Sequence, residues 1–287
     1  MSETLREFAL RDLQGLRARH GGVFAADWRR RSAFLIGIVL AVALAAYGFW
    51  RLDFSLSRLG SGMGQIAHMI SLMFPPSPGG RLPLYLQALA ETLAIALLGT
   101  LTAAVLAFPV GFLAAKNVVP NIFAHFAVRR VLDVFRGVDV LIWALIFVNV
   151  VGLGPFAGML AIAAADFGSF GKLFSEAIEA ADKRPAEGVV ASGGTQLHAL
   201  RFALIPQVFP VIASQVLYYF ESNTRSATII GIVGAGGIGL YLAEQIRVLE
   251  WDVVAFLVLM ILIAVAIIDW ISSRLRLAII GRAAVVL

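Results

Sequence analysis

The chain has 287 residues, of which 60% are hydrophobic and 14% charged, and its mean hydropathy is +0.88. Soluble domains contain about 45–50% apolar and about 25% charged residues, so this composition excludes an ordinary soluble protein and indicates a membrane protein. The net charge is +5 and cysteine is absent, which excludes disulfides, thiol catalysis and cysteine-bound zinc. The arginines flank apolar runs, a pattern of membrane topology rather than of nucleic-acid binding.

The N-terminal segment, residues 1–31, is polar and ends in three consecutive arginines. Its apolar residues are spaced roughly along one helix face, at Leu5, Phe8, Leu13 and Leu16. This spacing favours a short basic amphipathic helix at the membrane surface over a loosely ordered tail. The apolar run 32–50 that follows is predicted to be a retained anchor, because both it and the segment before it are long for a cleaved signal peptide.

The segment 51–81 is predicted to lie outside the membrane, with one amphipathic helix around "QIAHMISLMF" and a break at "PPSPGG". Further transmembrane helices are predicted at 84–115, 138–151, 156–181, from 206 onward, and at 253–270. The run 226–243 is interpreted as a glycine-broken continuation of the fifth helix, buried in protein. Six spans with both termini cytoplasmic place most of the arginines inside, as the positive-inside rule requires.

The stretch "IIGIVGAGGIGL", residues 229–240, contains the G-x-G-x-x-G spacing of dinucleotide-binding units. Such a unit needs a second strand ending in an acidic residue, whereas the segment after Asp252 is a membrane span. A membrane-bound dinucleotide-dependent oxidoreductase is therefore only a distant alternative, and we expect no cofactor. Gly234, Gly236 and Gly237 are predicted to permit close helix packing or to form a bent gating segment.

The remaining chemical motifs are near misses. In "DFGSFGKL" an aspartate, Asp166, occupies the first glycine position of a phosphate-binding loop, and Leu173 follows the lysine. The four histidines are too scattered to suggest a metal site. The sequence therefore predicts no metal and no enzymatic activity in this chain, and any ATP must be bound by another subunit.

The only long polar stretch between spans is 172–206, and it contains "AEGVVASGGTQLHALRFALIPQVFP". Glu187, Gly193 and Pro206 match in register the E-A-A-x3-G-x9-I-x-L-P loop of bacterial ABC importer permeases, although Gly188 and Val189 replace the two alanines. The stretches "VGLGPFAG", "KLFSEAIEA", "IPQVFP" and "FESNTRSATIIGIVGAGGIG" are similar to the permease subunit of phosphonate-type importers. The resemblance covers roughly Leu82 to Arg276 and departs from the family pattern at "DKRP".

The resemblance implies an all-α polytopic membrane protein with about six transmembrane helices and a type I ABC importer permease core. The expected organisation is a cytoplasmic tail (1–31), an anchor with an external segment (32–81), the permease core (82–276) and a cytoplasmic tail (277–287). The core would carry a cytoplasmic coupling loop at 182–206.

The function implied is that of the transmembrane subunit of an ATP-driven importer in the bacterial plasma membrane. It would move phosphonate or a related phosphorus oxyanion by alternating access; methionine or phosphate remains an alternative cargo. The implied partners are a second permease subunit, two copies of a cytoplasmic ABC ATPase, an extracytoplasmic substrate-binding protein and the lipid bilayer, with no nucleic acid.

The coupling loop is predicted to form two short helices at an angle, which together make a knob. Glu187 falls in a first helical turn, where its charge complements the helix dipole, and the glycines allow a sharp turn. The residues expected to contact the ATPase are Glu187, Gly188, Ser192, Gly193, Gly194 and Pro206.

Within the fifth span, "ESNTRSA" places Glu221 and Arg225 at i and i+4, the favoured orientation for a helical ion pair. Charges at membrane depth usually face protein or a water-filled cavity. A structural ion pair and a role in the substrate path both remain open. The residues expected to line the translocation path or its gate are Glu221, Ser222, Asn223, Arg225, Ser226, Gly234, Gly236 and Gly237.

Overall fold

The computed structural model describes residue 15, residues 28–119 and residues 121–286. The predicted N-terminal amphipathic helix lies outside these residues. Within them every regular element is helical, which confirms the all-α prediction. The helices are α1 (Trp28–Arg51), α2 (Leu56–Leu72), α3 (Leu82–Ala114), α4 (Ile122–Gly137), α5 (Val140–Val151), α6 (Pro155–Ala180), α7 (Arg184–Ala191), α8 (Gln196–Ala199), α9 (Ile205–Gly231), α10 (Ile238–Arg247) and α11 (Trp251–Val286).

Five helical stretches in the described part of the chain are long and apolar enough to cross a membrane: Ser32–Arg51, Leu82–Ala114, Pro155–Ala180, Gln196–Gly231 and Trp251–Ile279. The pair α4 and α5 adds a sixth if it is one broken span, bent by 86°. The predicted number of about six spans is thus confirmed. The chain divides into two compact units, residues 1–67 and residues 68–287.

The core of the second unit is built on α3 and α6, which run parallel and pack closely through glycines. A Cβ atom added at Gly99 would lie 2.8 Å from the Cβ of Ile162, and one at Gly111 would lie 2.8 Å from the Cβ of Phe174. Helix α9 runs antiparallel to both, because its early residues pack near the ends of α3 and α6 and its late residues near their starts. Small residues are the usual means by which helices associate closely in a membrane.

The third predicted span, 138–151, is wrong in its extent. Its helical part, α5, has only 12 residues, about 18 Å, which is too short to cross the membrane alone. If the two helices form one broken span, α4 supplies the rest of the crossing, and the sequence predicts no span there because the arginines of α4 interrupt the apolar run. The break between the two helices lies at Asp139, whose side chain accepts a hydrogen bond from the Leu141 N–H and caps α5.

Two helix boundaries also differ from prediction. The second short helix of the coupling loop does not stop before Pro206: a π-helical turn, Leu200–Leu204, joins α8 to α9 in one continuous helix. Pro206 is the second residue of the α-helical part, directly after the π turn, where the Ile205 N–H donates to the Leu200 carbonyl five residues earlier. The last helix does not end at the predicted residue 270 but continues to Val286.

The run 226–243 is buried in protein at Gly231, Ala235 and Ile238, as expected, but it is not an in-line continuation of α9. The chain turns at residues 232–237 and starts a separate helix, α10. Gly239 of α10 then lies against Thr228 and Gly231 of α9, so the two helices meet at their glycines. The turn folds the chain back because three of its glycines adopt positive φ angles.

Candidate functional site

The glycine turn, residues 232–237, has a backbone that only glycine adopts readily. Gly234, Gly236 and Gly237 have φ angles of +95°, +82° and +74°, in the region that L-residues with a Cβ avoid. A dinucleotide-binding unit requires a strand before its glycines, but residues 205–231 are helical. The fingerprint spacing therefore serves a tight reversal between two helices, not a nucleotide-binding turn.

This glycine turn is held by hydrogen bonds from two other parts of the core. The N–H groups of Gly237 and Ile238, at the start of α10, donate to the Glu91 Oε1 and Thr92 Oγ1 atoms of α3, over 2.9 and 2.8 Å. The Gly154 N–H, between α5 and α6, donates to the Gly234 carbonyl over 3.0 Å. The Glu91 carboxylate thus satisfies a free donor at a helix N-terminus, where negative charge is stabilised.

The same turn leaves no room for side chains. A Cβ at Gly236 would lie 2.7 Å from Glu91 Oε1 and 2.8 Å from the Pro155 nitrogen. A Cβ at Gly158 of α6 would lie 2.6 Å from the Ala235 carbonyl oxygen. The sequence motifs "VGLGPFAG" and "GIVGAGGIG", which lie about 80 residues apart, are therefore two sides of one contact.

A polar cluster lies deeper in the core, between α3, α6 and α9. The Asn223 Nδ2 group donates to Thr100 Oγ1 over 2.8 Å and to Asp166 Oδ2 over 2.5 Å, and all three residues are buried. The structure therefore places Asn223 inside the helix bundle, where it ties three helices together, and not on an open face. Asp166, which replaces the first glycine of the phosphate-binding loop pattern, lies in the middle of α6.

The predicted ion pair forms, but it is part of a larger cluster. Glu221 lies 3.6 Å from the Arg225 guanidinium and 3.1 Å from that of Arg276 on α11. The side chain of Glu221 is 12% exposed, that of Arg276 22% and that of Arg225 51%. One carboxylate therefore faces two guanidinium groups, and the cluster carries one surplus positive charge on its more exposed member, Arg225.

The sequence does not predict Arg276 as a member of this cluster, because the predicted last span, 253–270, ends before it. Its distance along the chain from Glu221, 55 residues, left no local signal. The neighbouring hydroxyls bond to their own helix instead: Ser226 Oγ donates to the Ser222 carbonyl over 3.5 Å. Ser222, Arg225 and Ser226 nevertheless lie within one helical turn of each other.

The coupling loop lies at the opposite end of α9 from the glycine turn. Pro185 is in the first turn of α7, Glu187 follows it, and none of the residues of α7 is buried. Gly193 has a φ angle of +90° and open space around its Cα. The Gly194 N–H donates to the Val189 carbonyl over 2.9 Å, and the Ser192 hydroxyl donates to the same carbonyl over 2.9 Å. These bonds fix the sharp turn expected after α7.

The loop is then joined to α9. The Gln207 amide pairs with the backbone of Asp182, accepting its N–H over 3.1 Å and donating to its carbonyl over 3.2 Å. A capping box of Thr195 and His198 starts α8. These contacts attach both ends of the loop to the base of one long helix.

Several apolar side chains of this loop are exposed on the surface of the chain. Leu197 is 77% exposed, Phe202 61% and Val190 42%. Exposed apolar side chains on a polar loop are typical of an interaction surface. In the described part of the chain no three histidine, cysteine, aspartate or glutamate residues are grouped so that they could hold a metal ion.

Comparison with known proteins gives a family and close relatives. Residues 107–280 match the family model described as binding-protein-dependent transport system inner membrane component. The chain is 37% identical to a phosphite transport system permease protein of Stutzerimonas stutzeri over 251 residues, covering 87% of this chain and 89% of the relative. It is 41% identical to a phosphate-import permease protein of Mycolicibacterium smegmatis over 192 residues, covering 66% of this chain and 36% of the relative.

Among solved structures, the chain is similar to one from the MetNI methionine ABC transporter in an inward-facing conformation. The TM-score is 0.61 at 20% sequence identity, over 69% of this chain and 97% of the other. Similarity at this level of identity concerns the fold alone.

Gly236→Val is expected to lower the stability of the protein by more than the cost of placing valine at a positive φ angle. A positive φ angle costs a β-branched residue at least about 1–2 kcal/mol, and here the added atoms also collide with Glu91 and Pro155. Gly80→Val is the matched control, because Gly80 has a φ angle of +74° and open space around it. We expect a lower melting temperature in detergent for Gly236→Val than for Gly80→Val; equal melting temperatures would contradict the close contact.

Glu221→Gln is expected to lower the amount of folded, membrane-inserted protein, because it leaves two arginines without their counter-charge. Removing one partner of a buried pair costs about 3–5 kcal/mol, and the half-exposed Arg225 reduces that cost here. Glu176→Gln is the control, since Glu176 is exposed on α6. The measurement is the melting temperature of the purified variants; Glu221→Gln melting like Glu176→Gln would show that the cluster does not stabilise the fold.

Proposed function

The chain belongs to the binding-protein-dependent transport system inner membrane components, and on that premise we propose that it carries phosphonate or a related phosphorus oxyanion into the cell. It is a multi-span permease subunit of an ABC importer, and ATP is hydrolysed on a separate partner subunit. The cargo proposal is carried by the surplus positive charge at Arg225 in the membrane-spanning helix α9. The names of the phosphite and phosphate permeases to which the chain is similar support the same class of cargo.

The charge cluster suits an anionic cargo for a simple electrostatic reason. Arg276 lies closer to Glu221 than Arg225 does, at 3.1 against 3.6 Å, so Arg225 is the guanidinium held more loosely. Charges within membrane helices are costly and mark substrate pathways, and a guanidinium fork matches the oxygens of a phosphoryl group. The hydroxyls of Ser222 and Ser226 are the neighbouring polar groups of this proposed path.

The proposed assembly contains two permease subunits, two copies of the ATPase and one extracytoplasmic binding protein, in the bacterial inner membrane with both termini of this chain cytoplasmic. The proposed permease core is 82–276, between an N-terminal part (1–31 and 32–81) and a C-terminal tail (277–287). Gly234, Gly236 and Gly237 are proposed to act at the gate on the outer side, since they lie at the end of α9 remote from the coupling loop.

The coupling loop is proposed to dock on the ATPase through its exposed apolar residues. The helix from Gln196 to Gly231 is continuous over 36 residues, about 54 Å. It begins inside the loop, passes the Glu221 cluster and ends at the glycine turn. Movement of the loop with the closing ATPase therefore reaches both the anion path and the proposed gate through one rigid element.

The direct test is uptake by proteoliposomes that contain this permease, its ATPase and its binding protein. We expect ATP-dependent accumulation of phosphite, phosphate or methylphosphonate, and no accumulation of sulfate or methionine. Methionine accumulation without any of the phosphorus compounds would overturn the proposed cargo.

Arg225→Lys separates a path role from a structural one. The lysine keeps the charge near Glu221 but cannot copy the planar fork of the guanidinium. We expect normal insertion and an uptake rate about tenfold lower, which corresponds to roughly 1.4 kcal/mol, or one charge-assisted hydrogen bond. Uptake at the wild-type rate, normalised to inserted protein, would exclude a requirement for the guanidinium.

Gly193→Asp tests the coupling loop. A φ angle of +90° disfavours any side chain, and the aspartate would place a charge beside the exposed apolar surface. We expect normal insertion, loss of uptake, and weaker retention of the ATPase during purification. Gly80→Asp, at another positive φ in open space, is the control and should transport normally; wild-type uptake by Gly193→Asp would rule out the docking role.

A further inference from the structure

A cavity of about 390 Å³ lies between α6, α9 and α11, on the coupling-loop side of the charge cluster. Its lining residues are Leu173, Ser214, Gln215, Tyr218, Tyr219 and Arg276. Ser214 and Gln215 precede Glu221 by about two helical turns, roughly 10 Å along α9. An anion that passes Arg225 toward the coupling loop would therefore meet this cavity next.

Arg276 is the residue that joins the cavity to the cluster. Both hydrogen bonds that its guanidinium makes with the described residues use Nη2, one to Glu221 Oε2 over 3.1 Å and one to Ser273 Oγ over 3.4 Å. A guanidinium has five N–H donors, so Nε and Nη1 retain theirs. The Tyr218 ring lies against the same group, with its centroid 6.0 Å from Cζ. Glu221 and Tyr218 thus orient the guanidinium and leave the Nη1 donors at its tip available to a ligand.

Gln215 adds a second, independent feature. Its Oε1 atom is buried and has no hydrogen-bond partner among the residues that the structure describes. A buried acceptor without a donor is costly, and a ligand with a proton on oxygen would satisfy it. Phosphite, phosphate and phosphonates carry such a P–OH group near neutral pH, whereas sulfate does not.

We propose that this cavity binds the phosphorus oxyanion on its inner route through the permease, an inference that rests on the proposed function. Nη1 of Arg276 donates to one oxygen of the anion, the Ser214 and Tyr218 hydroxyls donate to a second oxygen, and Gln215 accepts the hydrogen bond of the P–OH group. The cavity therefore selects a protonated oxyanion over sulfate after the cargo has left the binding protein.

The test measures the binding of phosphite to the purified permease–ATPase complex, without binding protein and without ATP. Binding is detected as broadening of the phosphorus NMR signal of phosphite. We expect wild type to bind phosphite and sulfate not to compete. Arg276→Lys should weaken binding at least tenfold, because a single ammonium cannot pair with Glu221 and also hold a fixed donor toward the anion, as the planar guanidinium does. Arg274→Lys on the same helix, whose guanidinium stacks on Trp270 instead, should bind like wild type.

Tyr218→Phe and Ser214→Ala each remove one hydroxyl donor with little change of side-chain shape. They therefore test the site even if Arg276→Lys folds poorly. Each should weaken phosphite binding severalfold, and Gln215→Met should let sulfate compete. No phosphite binding by wild type, or binding unchanged in Arg276→Lys and Tyr218→Phe, would overturn the cavity site even if uptake of phosphorus oxyanions is normal. Arg276-dependent phosphite binding without any such uptake would instead support the site and reject the proposed transport function.

Discussion

The close packing of α3 on α6 is the constraint on which the other contacts depend. Apolar burial gives no driving force between helices in lipid, so they associate through small residues and hydrogen bonds. Gly99 and Gly111 bring the two backbones so near that a Cβ atom would collide with Ile162 or Phe174. At this spacing, Thr100 of α3 and Asp166 of α6 both reach Asn223 of α9. The same alignment brings Glu91 and Thr92 of α3 against the glycine turn.

The helix 196–231 connects in series the three parts for which roles are proposed. Its first residues belong to the coupling loop, its last third carries Glu221 and Arg225, and it ends at the glycine turn. The two ends are held differently: the loop end is exposed and attached by the Gln207–Asp182 pair, whereas the turn is buried and held by α3 and by the α5–α6 connection. An exposed surface at one end and a tightly held turn at the other suit a helix that transmits movement.

Most of the spans and the glycine conformations could be predicted from the sequence, because both depend on local composition. Long apolar runs define the helices, and clusters of glycine mark positions where only positive φ angles permit a turn. Helix α4 was missed because its charges lower the hydropathy; the fold pairs some of them, Arg129 with Glu179 and Lys172 with Asp133. Three features could not be predicted, since each depends on residues distant in the chain. They are the pairing of Arg276 with Glu221, the burial of Asn223 and the contact between the two glycine motifs.

The central claim is that the loop 182–206 contacts the ATPase. The chain has no cysteine, so single cysteines can be introduced without removing others. Leu197 in the loop and Leu153 between α5 and α6 are both highly exposed, at 77% and 78%, so a cysteine at either position would be accessible to a reagent. In the assembled complex, a short thiol-to-amine cross-linker should join Leu197→Cys, but not Leu153→Cys, to the ATPase subunit. Failure of Leu197→Cys to cross-link, or equal cross-linking from both positions, would contradict the account.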